Sequence, residues 1–260
     1  MLFSVLTIFP DFFFSPLQEG IIRRALREGK VEIELHNIRD YALDKHRMTD
    51  DRPFGGGEGM VMKPEPLAAC VRAAVRPDCS RRVILLSPRG ERFSQTQAER
   101  LSGYEQLVLI CGRYEGVDER FRDRYVEEEL SIGDYVLTGG ELAALVVIDA
   151  VSRLLPGVLG CSDSAAKDSF SRGLLKHAQY TRPQVFEEMA APEVLLSGDH
   201  AAIDRYRLVE SVRLTLARRP ELLASVRFSP MEEKILRREG IYGQIEAIAN
   251  RAQRVSGDAD

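Results

Sequence analysis

Apolar and polar positions alternate in two ways along residues 1–160. Short runs of apolar and β-branched residues, typical of buried strands, are separated by longer stretches with apolar residues at helical spacing. The strand-like runs lie at residues 2–8, 31–38, 83–87, 107–111 and 131–137. The helix-like stretches lie at residues 16–28, 64–76, 95–102 and 140–155. This alternation predicts an α/β domain over residues 1–160, with a largely parallel sheet and flanking helices.

The pattern changes after residue 160. The segment 161–172 opens on a small, polar run with no hydrophobic period, which predicts an interdomain linker. Helical spacing without any strand pattern then returns, at residues 201–218 and 230–252. We therefore predict a smaller, all-α C-terminal domain over residues 173–252. The last residues, 253–260, are rich in Ser, Gly and Asp and are predicted to form a disordered tail.

A long, polar, glycine-rich interval at residues 39–60 interrupts the strand and helix pattern. Loops of this length inside a domain are usually functional or disordered, although a plain flexible connector is the alternative. Gly55 and Gly57 do not begin a dinucleotide fingerprint, because Met60 stands where a third glycine is needed. A nucleotide-dependent oxidoreductase, which the β–α alternation alone would allow, therefore lacks its glycine signature.

Two glycine-punctuated loops follow strand-like runs, at Cys111–Gly116 and Ile132–Gly140. Glycine lets main-chain N–H and C=O groups approach a ligand closely. Neither loop contains the lysine that a phosphate site usually adds, so the pair predicts a pocket for a neutral, adenine-bearing ligand. Each loop taken alone could equally be an ordinary strand-to-helix turn.

Cysteine, histidine and hydropathy patterns narrow the class of protein. Neither the four cysteines nor the four histidines show the spacing of a zinc site. Free thiols without a disulfide framework suit a reducing cytosol. The apolar start, Leu2–Phe9, and the run Leu142–Ile148 are both much shorter than a membrane helix. These observations predict a soluble, cytoplasmic protein with no membrane partner.

The charge of the whole chain gives no sign of a nucleic-acid partner. The formal net charge is −4, and basic and acidic residues also balance within the second half. Any RNA surface must therefore be a local patch. The candidates are Arg205, Arg207, Arg213, Arg218 and Arg219. The alternative is a solvated helix face in which these arginines pair with nearby carboxylates.

Seven segments occur together in the order found in one family. They are residues 52–57, 86–90, 111–118, 131–141, 155–160, 168–170 and 180–183. Over residues 1–225 the chain closely resembles the bacterial tRNA (guanine-N1)-methyltransferase (TrmD) family, a member of the SPOUT class. Two positions differ from the common family pattern: Ala178 stands where Pro is usual, and Tyr206 where Trp is usual. Both concern details of tRNA contact rather than the chemistry.

The resemblance implies a trefoil-knotted α/β domain, a linker and a helical tRNA-binding domain, in a homodimer with a composite active site. Such a knot is a rare exception to ordinary topology that periodicity cannot reveal. The implied methyl donor is S-adenosylmethionine. The implied substrate is the tRNA anticodon stem-loop, methylated at N1 of the guanine immediately 3′ of the anticodon. Another SPOUT-class RNA methyltransferase and a non-catalytic RNA-binding protein with this fold are the alternatives.

The resemblance also implies residue roles. Asp168 is the implied general base, although an aspartate in a polar stretch is most often a turn or cap residue. Arg153 is implied to face the purine O6, although an ion pair with Asp149 one helical turn earlier is the simpler interpretation. Glu115 is implied to lie beside the donor and to hold a catalytic Mg²⁺, although it could merely satisfy a backbone N–H. The implied donor-binding residues are Pro88, Gly112, Tyr114, Glu115, Ile132, Gly133, Tyr135, Leu137, Gly139 and Gly140.

Overall fold

The chain divides into two compact units, Met1–Ser162 and Asp163–Asp260. The structure is a computed structural model that describes residues 1–160 and 168–257, with side chains as far as Arg251. Most of the predicted linker, residues 161–167, therefore lies outside the described residues. Within the described residues, no helix is both long enough and apolar enough to cross a lipid bilayer.

The first unit is built on a five-stranded sheet in which every neighbouring pair is parallel. Its strands are β1 (Leu2–Thr7), β2 (Glu32–Asn37), β5 (Arg81–Arg92), β6 (Gln106–Cys111) and β7 (Glu128–Ser131). The strand order is β2-β1-β6-β5-β7. A small antiparallel pair joins β3 (Asp50–Asp51) to β4 (Val61–Met62). The predicted α/β class with a largely parallel sheet is confirmed.

Helices cover both faces of this sheet. They are α1 (Phe14–Leu17), α2 (Gly20–Arg27), α3 (Pro64–Ala74), α4 (Gln95–Leu101), α5 (Glu119–Tyr125) and α6 (Glu141–Ser152), with 3-10 turns at Pro10–Phe13 and Ile38–Tyr41. Alternate residues of β6 contribute to opposite cores: Leu107 and Leu109 pack with α2, α4 and α6, whereas Val108 and Ile110 pack with α3 and α5. Because both faces are covered, this strand is apolar throughout its length.

The last strand of the sheet lies earlier than the sequence indicates. The strand predicted at residues 131–137 is instead Glu128–Ser131, and residues 132–140 form a loop before α6. The acidic run Glu127–Glu129 gives no apolar signal for a strand. In the structure, Glu127 accepts from the Val83 N–H at 2.8 Å, and arginines of the neighbouring helices pair with the other two carboxylates. Glu128 pairs with Arg100, and Glu129 pairs with Arg122 at 2.9 Å.

The second unit is mainly helical. It contains α7 (His200–Arg218), α8 (Pro230–Arg238) and α9 (Tyr242–Gly257), with 3-10 turns at Glu193–Leu196 and Pro220–Ala224. Its core consists of Leu174, Val209, Val212, Leu223, Leu236, Ile241 and Ile245. The helix predicted at 230–252 is two helices, since Gly240 adopts a φ of +70° that ends the first one. The backbone of residues 253–257 continues α9.

A short β-hairpin in the second unit corrects the prediction of an all-α domain. Its strands are β8 (Val185–Phe186) and β9 (Met189–Ala190). The two turn residues, Glu187 and Glu188, have φ angles of +46° and +66°. Tight hairpins of this kind normally use Asn or Gly at both positions, so the sequence carries no recognisable turn signal here.

Candidate functional site: a cavity at the carboxyl ends of three strands

A cavity of about 370 Å³ opens where β6 and β7 end, beside the part of β5 that lies around its last pair with β6, Leu86 with Cys111. The carboxyl edge of an open parallel sheet is where such folds bind ligands. The described residues that line the cavity all belong to the first unit, and they come from three segments. These are Leu85–Arg89 within β5, residues 112–117 with Glu119 after β6, and most of residues 130–140 with Ala143 of α6.

Main-chain hydrogen bonds hold the first glycine loop in place. The Gly116 N–H donates to the Arg113 carbonyl at 2.9 Å, which closes a tight turn through Tyr114 at a φ of +58°. The Glu115 N–H donates to Met60 O, and Gly116 O accepts from Met62 N, both at 2.9 Å. The loop is therefore fixed against the end of the long glycine-rich interval that precedes α3.

The second glycine loop closes directly onto the first. The Gly140 N–H donates to Gly112 O at 3.0 Å. A Cβ atom at Gly140 would lie 2.7 Å from Cys111 Cα, so only glycine allows this approach. A Cβ atom at Gly133 would lie 2.4 Å from the Tyr135 ring, which folds back over that position. The backbones of the two loops thus form one continuous wall of the cavity.

All ten residues predicted to bind the donor line this single cavity. Leu137 and Ile132 supply apolar surface, and Tyr114 and Tyr135 remain about half exposed, at 49% and 55%. The β5 pairing explains the position of Pro88. The register of β5 against β7 shifts between Leu86 and Glu91, so the chain bulges towards the cavity there. The structure thus brings the predicted donor-binding residues together; what they bind remains a prediction.

A buried ion pair behind the loops was not predicted. Glu141, the first residue of α6, is 1% exposed, and its carboxylate accepts from Arg113 Nη2 at 2.9 Å and from Thr7 Oγ1 at 2.8 Å. Burial and this carboxylate raise the pKa of the neighbouring Cys111 thiol, which therefore stays protonated. The sequence signal for this ion pair was Glu141 itself, an acidic residue that begins a mainly apolar helix directly after two glycines.

Arg153 lies at the other end of the same helix. It follows Ser152 as the C-cap of α6, is partly exposed, and its N–H donates to the Asp149 carbonyl at 3.2 Å. It is not among the residues that line the cavity. The catalytic role implied for Arg153 therefore remains a prediction.

Asp168 belongs to the second unit and lies within the predicted linker, residues 161–172. Its carboxylate accepts a hydrogen bond from Lys176 Nζ at 2.8 Å, and the neighbouring Ser169 hydroxyl accepts from the Lys176 N–H at 3.0 Å. The aspartate is thus held in a turn whose charged partner comes from its own unit. The base role implied for Asp168 also remains a prediction.

Glu115 is exposed and passes directly over Gly59. Gly59 has a φ of +83°, and a Cβ atom there would lie 2.4 Å from Glu115 Oε1. Among the described residues, no group of three or more His, Cys, Asp or Glu side chains could hold a metal ion. A Mg²⁺ ion near Glu115 would therefore need ligands from a substrate and from water.

The five candidate arginines of the second unit are all exposed on or beside α7. Three have acidic partners: Arg207 with Asp204, Arg213 with Glu210 and Glu239, and Arg219 with Glu221. For the described residues, no acidic side chain lies within 4.0 Å of Arg205 or Arg218. The solvated-face alternative thus accounts for three of the five. Tyr206, which replaces the usual Trp, lies beside Tyr180; burial and that neighbour raise its pKa.

A parallel α/β sheet with a glycine-walled cavity at its carboxyl edge defines a class of ligand-binding α/β domains. The sequence comparisons identify the family. The family model described as tRNA (Guanine-1)-methyltransferase TrmD matches residues 1–225, and the chain belongs to this family. A tRNA (guanine-N(1)-)-methyltransferase of Geobacter sulfurreducens is 56% identical, covering 92% of this chain and 99% of the relative. That of Dehalococcoides mccartyi is 54% identical, covering 91% and 96%.

Proposed function

We propose that the protein transfers a methyl group from S-adenosylmethionine to N1 of the guanine immediately 3′ of the tRNA anticodon, in the cytoplasm. Family membership supports the reaction. The observation that carries the choice of donor is the cavity walled by two lysine-free glycine loops. Its volume of about 370 Å³ is in the range of sites for ligands of this size.

The residues of the cavity fit such a donor. Apolar groups of Leu86, Ile132 and Leu137 would enclose the adenine, and main-chain groups of Gly133, Gly139 and Gly140 would read its edge. A strongly anionic ligand would fit poorly, because the loops add no lysine and Glu115 and Glu119 line the same cavity. When bound, the donor supplies an activated methyl group on a sulfonium.

Asp168 and Arg153 would perform the chemistry on the guanine. Asp168 would accept the N1 proton as general base, after its contact with Lys176 loosens, because a carboxylate paired with an ammonium is a weaker base. Arg153 would stabilise the negative charge that spreads onto O6. Glu115, with substrate oxygens and water, would hold a Mg²⁺ ion that assists the reaction.

We further propose that the first unit is trefoil-knotted and that the protein is a homodimer. An exposed apolar face on the first unit supports the dimer. Leu142 and Val146 of α6 are 49% and 44% exposed, although the opposite side of the same helix is fully buried. Phe9, at the start of the adjoining 3-10 turn, and Phe12, within it, are 44% and 41% exposed. Because a contiguous exposed apolar patch on a folded domain commonly marks an interaction surface, a second copy would cover this face.

If the active site is composite, two inactive variants should complement each other. Asp168→Asn chains keep intact donor loops, and Gly140→Val chains keep an intact Asp168. After subunit exchange in an equal mixture, half of the dimers are mixed and each regains one site, so activity should return to about a quarter of the wild-type value. Methylation is measured before and after exchange. No recovery, with exchange verified by mass-tagged chains, would place both elements in one chain.

The second unit would hold the anticodon stem-loop. Its exposed arginines, in particular Arg205 and Arg218, are candidates for phosphate contacts, since the other three already face carboxylates within the unit. Tyr180, about half exposed, lies in the segment that follows the predicted linker. Because basic and acidic residues are equal in number over residues 161–260, such phosphate contacts would come from a local patch of arginines and not from the overall charge.

Nucleoside analysis of tRNA tests the proposed reaction. The protein is incubated with labelled S-adenosylmethionine and an unmodified tRNA that carries guanine 3′ of its anticodon, and with a matched tRNA that carries adenine there. We expect 1-methylguanosine in the first tRNA and none in the second. Label at another position would indicate another SPOUT-class methyltransferase. Binding without any label would indicate a non-catalytic RNA-binding protein.

A further inference from the structure

The buried ion pair of Arg113 and Glu141 connects the two glycine loops with the helix that follows them. Arg113 lies in the first glycine loop, pairs with the second loop at Gly139 as an isolated antiparallel bridge, and reaches the start of α6 at Glu141. Its Nη1 donates to the Thr138 carbonyl at 3.1 Å. One side chain therefore joins both loops to the helix that follows them.

The guanidinium of Arg113 is committed to protein acceptors. Nε donates to Glu141 Oε2 at 3.1 Å, Nη2 lies 2.9 Å from the same oxygen, and Nη1 bonds to Thr138. The plane of the group lies against Phe9, with Cζ 4.6 Å from the ring centroid. Arg113 lies in the cavity lining, but three of its five N–H groups already face protein acceptors, so the ion pair with Glu141 sets the orientation of its guanidinium.

The neighbouring glycine is explained by the same contact. A Cβ atom at Gly139 would lie 2.2 Å from Arg113 Nε and 2.6 Å from its Cζ. A side chain held by a buried carboxylate cannot move aside cheaply. Gly139 is therefore needed because the arginine packs across the second loop at that position.

We propose that Arg113 is a positioning residue, which sets the distance between the two glycine loops through its ion pair with Glu141 and so determines donor affinity without contacting the donor. This inference rests on the proposed function of the cavity as a donor site. The titratable groups facing Glu141 are Arg113 and the Cys111 thiol, whose raised pKa keeps it neutral.

The test measures binding of S-adenosylhomocysteine by calorimetry at about pH 6 and about pH 8. In Arg113→Met, Glu141 is left buried without its cation, and a buried unpaired carboxylate favours its neutral form. Protonation of Glu141 at low pH would remove the buried unpaired charge of this variant. The variant should therefore bind at least about tenfold more weakly than wild type at pH 8, and clearly less weakly at pH 6. The wild-type ion pair should give a much flatter profile.

Two further variants separate positioning from direct contact. Arg113→Met with Glu141→Gln removes both charges, so it should recover part of the affinity and lose the pH dependence. Arg100→Met is the control for the loss of an arginine–glutamate pair outside the cavity. Arg100 pairs with Glu128, which also has Arg82 as a partner, so the variant should bind as wild type. Circular dichroism confirms folding of each variant.

The outcomes distinguish this inference from the proposed function. If wild type does not bind S-adenosylhomocysteine at all, the donor site itself is wrong. If wild type binds and Arg113→Met loses affinity equally at both pH values without recovery in the double variant, Arg113 contacts the donor. Unchanged affinity in Arg113→Met would equally overturn the inference.

Discussion

Asp168→Asn should lower the single-turnover rate of tRNA methylation by at least about 10²-fold, the usual loss when a general base is removed. Asparagine matches aspartate in size but cannot accept the N1 proton. Folding and donor affinity should remain unchanged, because the described residues that line the cavity all lie in the other unit. The measurements are rapid-quench methylation at saturating donor and calorimetric titration with S-adenosylhomocysteine.

Asp199→Asn is the matched control for that experiment. Asp199 is the N-cap of α7, where its side chain accepts from the Ala202 N–H at 3.0 Å, and asparagine serves this role about equally well. If Asp168 were only a turn residue held by Lys176, both substitutions would leave the rate within about twofold of wild type. A near-normal rate in Asp168→Asn would therefore assign the base to another group.

The sequence predicts the two glycine loops because a close backbone approach requires glycine, a residue type that is visible in the sequence even when its partner is distant. A Cβ atom at Gly140 would collide with the Cys111 backbone, and one at Gly59 would collide with the Glu115 side chain. Each position therefore requires glycine. The parallel sheet is equally readable, since its central strands are buried on both faces and therefore apolar throughout.

Features that depend on distant partners and that require no special residue type could not be predicted. The acidic start of β7 is typical of a loop in the sequence. Only the structure shows that Arg100 and Arg122 pair with its carboxylates. Arg113 and Glu141 are 28 residues apart, and nothing local distinguishes a buried pair from two surface charges. The hairpin at Glu187 and Glu188 could not be predicted because glutamate seldom occupies the turn positions of a tight hairpin.

Gly140→Val should abolish measurable binding of S-adenosylhomocysteine. Gly140 has helical backbone angles, with φ of −78°, so the substitution does not force an unusual backbone conformation at that residue. The obstacle is space: any Cβ atom would lie 2.7 Å from Cys111 Cα and 3.1 Å from Gly112 N, which are both backbone atoms. The loops must separate, and the 3.0 Å hydrogen bond from Gly140 to Gly112 would break. Calorimetric titration measures the loss.

Gly140→Ala and Gly160→Ala make this prediction specific to the loop contact. The alanine at 140 places the same Cβ atom against Cys111 and should weaken binding by between about tenfold and 10²-fold, the equivalent of a modest overpacking strain. Gly160 is in the same unit, has a conformation open to other residues, and has no atom within 4 Å of a built Cβ atom. Gly160→Ala should therefore bind as wild type. If a folded Gly140→Val binds with wild-type affinity, the second glycine loop does not form the donor site and the ligand lies elsewhere on the sheet edge.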